Sequence, residues 1–481
     1  SMMVKTMIDV KLILRCLTLL LLFTCMVAGV NAAESPAADF YATPEDGSAP
    51  LTVAFTDAST GDASGWAWYF GEGIIDSEWT ETSPDAGWSP RGGHSMVALP
   101  DGSIVLMGGI EEDAYTHDVW RSEDSGVTWS LIAESPGWPP RVSHSSLLLQ
   151  DGSILIMGGV FWDGEQFNEY NDVWRSTTGG ALWTKVTEDA GWSARDGLTS
   201  LLLHDGSILV MGGWDRIGQK NDVWRSNNKG ISWSQISWRA EWPARTYHSS
   251  VLLPDRSIVL MGGYVEDGDE WSYYNDVWRS TDNGATWNEM TSDAGWSARD
   301  GHTSVALPDG SILLMGGRND EGRCGDLWRS TDSGATWSEI TPETGWHARD
   351  RLVSVLLPDG SVLVTGGWSD DSNNEFTYYN DVWRLETADS MIQNPSHLYT
   401  APGSYSVTLR AFNPAGFSTL TKGDVIAVSE PAPSETPAPP ATPVPEETPV
   451  DTPAPEPSPV VYAPVLLLII GLIVFGIRKQ E

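Results

Sequence analysis

The sequence predicts an all-β chain built around a six-bladed β-propeller, and three observations carry that prediction. Paired glycines recur at Gly108-Gly109, Gly158-Gly159, Gly212-Gly213, Gly262-Gly263, Gly316-Gly317 and Gly366-Gly367, in steps of 50, 54, 50, 54 and 50 residues. A fixed period of that size marks a propeller, solenoid or array. Each period also reads as four short strands, and four antiparallel strands repeated six times make a propeller. Finally, five repeats end on a Trp strand, at Trp129, Trp183, Trp233, Trp287 and Trp337. The sixth, after Asp381-Val382-Trp383, has none, and the missing strand stands upstream as Glu78-Trp79-Thr80-Glu81. That segment is expected to complete the last blade, which sets the ring's entry beside its exit.

The clearest repeat shows why each strand is expected. His302 to Leu307 alternates loosely, and Ser311-Ile312-Leu313-Leu314-Met315 is a continuous apolar run, as in a strand buried on both faces. Asp-Gly and Gly-Gly pairs between the runs supply the positive φ of tight hairpins. Asp326-Leu327-Trp328-Arg329 and the Thr336-Trp337 stretch give the last two strands. No 3.6-residue period persists, which argues against a helical solenoid.

The paired glycines, the following Asp-Val-Trp, the later Trp and an Arg-x-x-His resemble kelch repeats. The Ser-x-Asp-x-Gly-x-Thr-Trp hairpins at Ser122 to Trp129, Ser280 to Trp287 and Ser330 to Trp337 resemble the Asp-box of sialidase-type propellers. The resemblance spans about residues 77–386 and implies the fold. Propellers host many unrelated activities, so it implies no particular function.

Upstream, residues 1–33 carry Lys5, Lys11 and Arg15, an apolar stretch from Cys16 to Val30, and small residues suited to cleavage. This reads as a secretory signal peptide. Residues 34–73 include Trp68-Tyr69-Phe70-Gly71-Glu72-Gly73, which resembles the Trp-Asp-Phe-Gly-Asp-Gly of a PKD domain, an immunoglobulin-like β-sandwich. Its second half follows only at residues 390–430, with Asn394 to Tyr399 and Gly403 to Leu409. The propeller, residues 74–389, is therefore expected to be inserted into that sandwich, as loop tips tolerate when the inserted ends lie close together. Residues 431–459 hold 12 prolines and read as an extended stalk. The apolar run 460–477 is long enough for a transmembrane helix, and Arg478 and Lys479 in the tail 478–481 favour a cytoplasmic end. This arrangement resembles surface proteins of methanogenic archaea and implies a single-pass cell-surface protein with an extracellular N-terminal region.

Composition narrows function. A net charge of −37 excludes nucleic acid as a partner, because phosphate binding needs a basic face. The acidity suits calcium binding; otherwise no cofactor is expected. Only Cys324 lies outside the signal segment, so no disulfide forms within the chain and packing must stabilise it.

Residues present in every blade are most simply structural. That covers the repeated tryptophans and Arg91, Arg141, Arg195, Arg245, Arg299 and Arg349, expected to bond between blades or stack on Trp. His94, His144, His248 and His302 match in four blades, with Leu198 and Leu352 in the others. Leucine at the same position suggests a structural role. Non-repeating material lies between the paired glycines and Asp-Val-Trp, where loops alternate in length. Asp85, Asp189 and Asp293 recur every 104 residues, so blades pair into a pseudo-threefold ring. One propeller face should gather Trp162, Asp163, Trp214, Asp215, Trp271, Tyr273, Tyr274, Trp368, Asp370 and Asp371. Aromatics beside carboxylates suit sugar stacking, calcium or protein contact. With no catalytic set standing out, the chain is expected to be a non-catalytic surface protein for adhesion, envelope assembly, or recognition of a cell-envelope glycan or protein. The alternative is an extracellular carbohydrate-active enzyme, glycosidase or sialidase-like, using face carboxylates.

Overall fold

The computed structural model describes residues 34–73, 78–112, 114–268, 270–370 and 375–431. Six four-stranded antiparallel sheets form the ring. The first contains Ser95–Ala98, Ile104–Ile110, Tyr115–Ser122 and Ser130–Ala133. Its inner strand packs on the inner strands of the second and sixth blades, so the circle is complete. Second strands such as Ile154–Met157 and Ile258–Met261 are buried along their whole length, the outcome of having a neighbouring blade on both faces.

The sixth sheet is Val353–Leu356, Val362–Thr365, Val382–Leu385 and then Trp79–Ser83, drawn from upstream. Trp79 lies opposite Leu385 and Ser83 opposite Val382. In each of the other blades a turn tryptophan meets the Trp-strand residue edge-on, as Trp88 meets Trp129 and Trp296 meets Trp337, at centroid distances of 6.1–6.2 Å. Trp346 meets Trp79 the same way at 6.2 Å. The borrowed strand therefore makes the same core contact as the resident ones.

The repeated arginines bond inside their own blades, which corrects the inter-blade expectation. Each is fully buried and pairs with the Asp of its Asp-x-Trp motif at 2.5–2.9 Å. It also donates to the carbonyl of the first paired glycine, as Arg245 does to Gly262 at 2.9 Å. The same Asp accepts the indole N–H two residues on, as Asp276 does from Trp278 at 2.7 Å. Stacking on Trp does occur: Arg299 stands 6.0 Å from the Trp296 ring. All groups of this cluster are satisfied, which makes burial of the charges tolerable.

The segments flanking the ring fold together. Phe40–Thr43, Leu51–Asp57 and Ser396–Tyr399 form one sheet; Asp46–Ser48, Gly416–Ser429, Gly403–Asn413 and Gly65–Tyr69 form the other. Leu51 faces Tyr399 and Trp68 faces Leu409 across the two sheets' ladders. Phe40, Phe55, Trp68, Phe70 and Tyr399 fill the space between.

One expectation is corrected here. The described residues contain no helix, and none that is long and apolar enough to cross a membrane. Residues 460–477, assigned above to a transmembrane helix, lie outside the described residues, as do the signal segment 1–33 and residues 432–459. The fold is all-β, and a single-pass membrane protein is not supported.

Candidate functional site

Before each inner strand the chain turns through a left-handed residue: Gly93, Ser143, Gly197, Tyr247, Gly301 and Arg351, with φ from 52° to 61°. These six turns are bonded in a closed circle. Each backbone N–H donates to the carbonyl of the preceding turn at 2.8–3.0 Å, and Gly93 donates to Arg351 to close it. Three blades use glycine, which adopts this conformation freely. Tyrosine and arginine pay roughly 1–2 kcal/mol for it. Strain retained at three positions of a sixfold turn, Ser143 as well as Tyr247 and Arg351, marks them as a place to look for function.

Tyr247 and Arg351 meet over the channel. The Arg351 guanidinium stands 3.7 Å from the Tyr247 ring centroid and 5.2 Å from that of Trp368, and donates to Ser143 Oγ at 2.9 Å. Tyr247 stacks on Tyr264 at 5.9 Å, and Tyr264 on Trp271 at 5.2 Å, with rings within 10° of parallel. The Tyr247 hydroxyl donates to Asp196. Beside these, Asp196, Asp300 and Asp350 are buried at the preceding turn position. Arg323 Nε donates to Asp350 at 2.8 Å, whereas one oxygen each of Asp196 and Asp300 has no hydrogen-bond partner.

Burial dominates the titration of these acids. It pushes Asp300 up to about 7 and Asp196 up to about 6, against the pull of Arg351 on both and of the Tyr247 hydroxyl on Asp196. Asp350 is raised by burial as well. For Arg351, burial opposes the charge, but Tyr247, Asp350 and Asp300 outweigh it and raise its pKa. A raised carboxyl stabilises the fold most below its ordinary value of 3.8, and that contribution is lost as pH rises through 7. Asp300→Asn is therefore expected to be more stable than the parent above pH 7, by roughly 2–4 kcal/mol, and to lose the advantage towards pH 4. Urea unfolding at pH 4 to 8 checks this; a constant difference would refute it.

Walls rise around this floor to enclose about 530 Å³, lined by Tyr115, Phe167, Trp214, Tyr264, Trp271 and Trp368 above Asp196, Tyr247 and Arg351. That is within the usual 300–1,000 Å³ of small-ligand sites. Of the residues expected at this face, Trp214, Trp271 and Trp368 line the cup. Trp162 is 4.7 Å from Phe167 but outside the lining, and Tyr273 packs 6.2 Å from Tyr264. Asp163 accepts backbone N–H groups of its own turn, from Glu165 and Gln166. Asp215 does likewise and pairs with Lys220 at 2.6 Å. Tyr274 covers Arg245, and Asp370 pairs with Arg323 at 3.1 Å. Asp371 lies outside the described residues.

Tyr247, Arg351, Asp196, Asp300 and Asp350 are absent from the sequence-based set. A signal was present: aligned by repeat, positions 93 to 351 read Gly, Ser, Gly, Tyr, Gly, Arg. The four aligned histidines, by contrast, are buried and bond a hydroxyl of the adjacent blade through Nε2, as His302 does to Ser249 at 2.8 Å. Burial, with the neighbouring arginine adding to it, holds His94 and His302 down to about 3, so they are neutral pins between blades. Among the described residues no group of three or more His, Cys, Asp or Glu is arranged to hold a metal ion.

Residues 197–397 match the family model "KLHDC2/KLHL20/DRC7 Kelch-repeats domain". The matched stretch lies almost wholly within the ring and is similar to kelch repeats. The solved structure titled "Structure of YjhT" is similar to this chain at a TM-score of 0.52 and 16% identity, over 66% of this chain and 99% of that one. At that identity the likeness concerns the fold alone. No curated protein matches. Neither match names a PKD domain or an archaeal surface protein, so the flanking segments stand as a two-sheet sandwich.

Proposed function

We propose that this chain is a recognition protein that binds a glycan in the aromatic cup of its kelch propeller. The observation behind the proposal is the convergence of Trp214, Trp271, Trp368 and Tyr115 on one cavity floored by Arg351 and Asp196. Flat aromatic walls suit the C–H faces of sugar rings, and a few buried polar groups suit hydroxyl recognition. Trp271 is 49% exposed, so its loss should spare the fold. Trp271→Ala and Trp368→Ala are each expected to weaken glycan binding at least about tenfold, or about 1.4 kcal/mol, with Tm little changed. A glycan array followed by calorimetry tests this. Silence of the parent protein across the array would defeat the glycan reading and leave a protein partner.

A second reading, turnover of the bound sugar, is favoured by one observation: Asp196 and Asp300 keep protons nearer neutrality than ordinary carboxyls do. Release of reducing ends, lost in folded Asp300→Asn or Asp196→Asn, would establish it. Binding without turnover would leave the chain a lectin-like module.

A further inference from the structure

The opposite end of the propeller holds a second, larger cavity. The cup lies at the turns that precede the inner strands; this cavity of about 660 Å³ lies where those strands end, at Ala98, Leu148, Leu252, Ala306 and Leu356. Its floor is not the propeller. The sandwich hairpin Gly403–Asn413 and Gly416–Ser429 covers it, contributing Arg410 and Phe417. The walls are largely aliphatic, and Arg410 is the one arginine or lysine among the lining residues.

Arg410 is 3% exposed and makes no ion pair among the described residues, and its Nε has no hydrogen-bond partner. Its guanidinium lies 3.7 Å from the Phe417 ring centroid. The nearby carboxylate of Asp359 is already paired with Arg384 at 2.7 Å. Burial holds Arg410 down to about 10, against the opposing pull of Tyr69 and Asp359. A buried guanidinium without a carboxylate partner is costly, and an anion arriving from solution would relieve that cost. Two side clefts adjoin the cavity. One shares Pro100 and Pro358 with the cavity, the other Leu253, Pro254 and Thr419.

We propose that this cavity binds an amphiphilic anion, a carboxylate with an aliphatic tail. The head pairs with Arg410 and the tail lies against the ring of leucines and alanines that closes the channel. Calorimetry of the full chain with dodecanoate tests it. One dodecanoate per chain is expected, with dodecanol at least about tenfold weaker because it lacks the charge. Arg410→Leu should lose at least about tenfold in affinity, while Arg410→Lys keeps most of it. Ala306→Phe should block the cavity with Arg410 intact, and carries the test if Arg410→Leu does not fold. Trp271→Ala should bind dodecanoate as the parent does, which separates this site from the cup. Absence of heat with dodecanoate, equal affinity for dodecanol, or full binding by Ala306→Phe would each overturn the proposal.

Discussion

Arg245→Leu is expected to cost roughly 3–5 kcal/mol in urea unfolding, a large part of the 5–15 kcal/mol that holds a typical domain together. The arginine is fully buried, pairs with Asp276 at 2.6 Å and donates to the Gly262 carbonyl at 2.9 Å. Removing it strands the Asp276 carboxylate at 8% exposure with only the Trp278 indole as a charge-neutral donor. Asp276→Asn in the same background should recover part of the loss, because no charge then remains unpaired. A loss below about 1 kcal/mol would mean that the pair is replaceable by packing alone.

Trp79→Ala is expected to cost roughly 3–5 kcal/mol, the range for a large core aromatic. Trp79 is 9% exposed and packs with Trp346, Leu385 and Leu313 at the junction of the fifth and sixth blades. Deleting residues 78–83 should do more, because Val382–Leu385 would become an open edge that recruits other chains. Size-exclusion chromatography should then show oligomers or aggregates. Trp238→Ala is the control: that side chain is 77% exposed, and its loss should stay within about 0.5 kcal/mol. If the deleted chain remained a monomer of unchanged stability, closure by the upstream strand would contribute nothing.

Legibility followed repetition. A residue that every blade needs is written six times, so the tryptophan pairs, the buried arginines and the paired glycines stand out against the loops between them. The stacking of the arginines on tryptophan was legible, but their ion-pair partner was not, because spacing alone does not tell a bond within a blade from one between blades. The cup aromatics were partly legible, since Trp214, Trp271 and Trp368 lie in the non-repeating loops. Asp163 and Asp215 share those loops, yet their carboxylates are occupied in capping local turns.

The sequence by itself determined the number of blades, the strand each repeat lacks or supplies, and the return of the flanking segments to one another. These follow from local patterns, because hairpin turns and alternating burial are dictated by neighbours a few residues apart. Only the tertiary structure decided the site. Ser143, Tyr247 and Arg351 stand 104 residues apart, each within its own blade, and no local pattern pairs them. They meet because the ring brings equivalent turns together around one axis, where Arg351 reaches Ser143 and covers Tyr247. Arg410, with no ion pair among the described residues, was likewise invisible, since its environment is made by a hairpin and a propeller rim that touch only once both have folded.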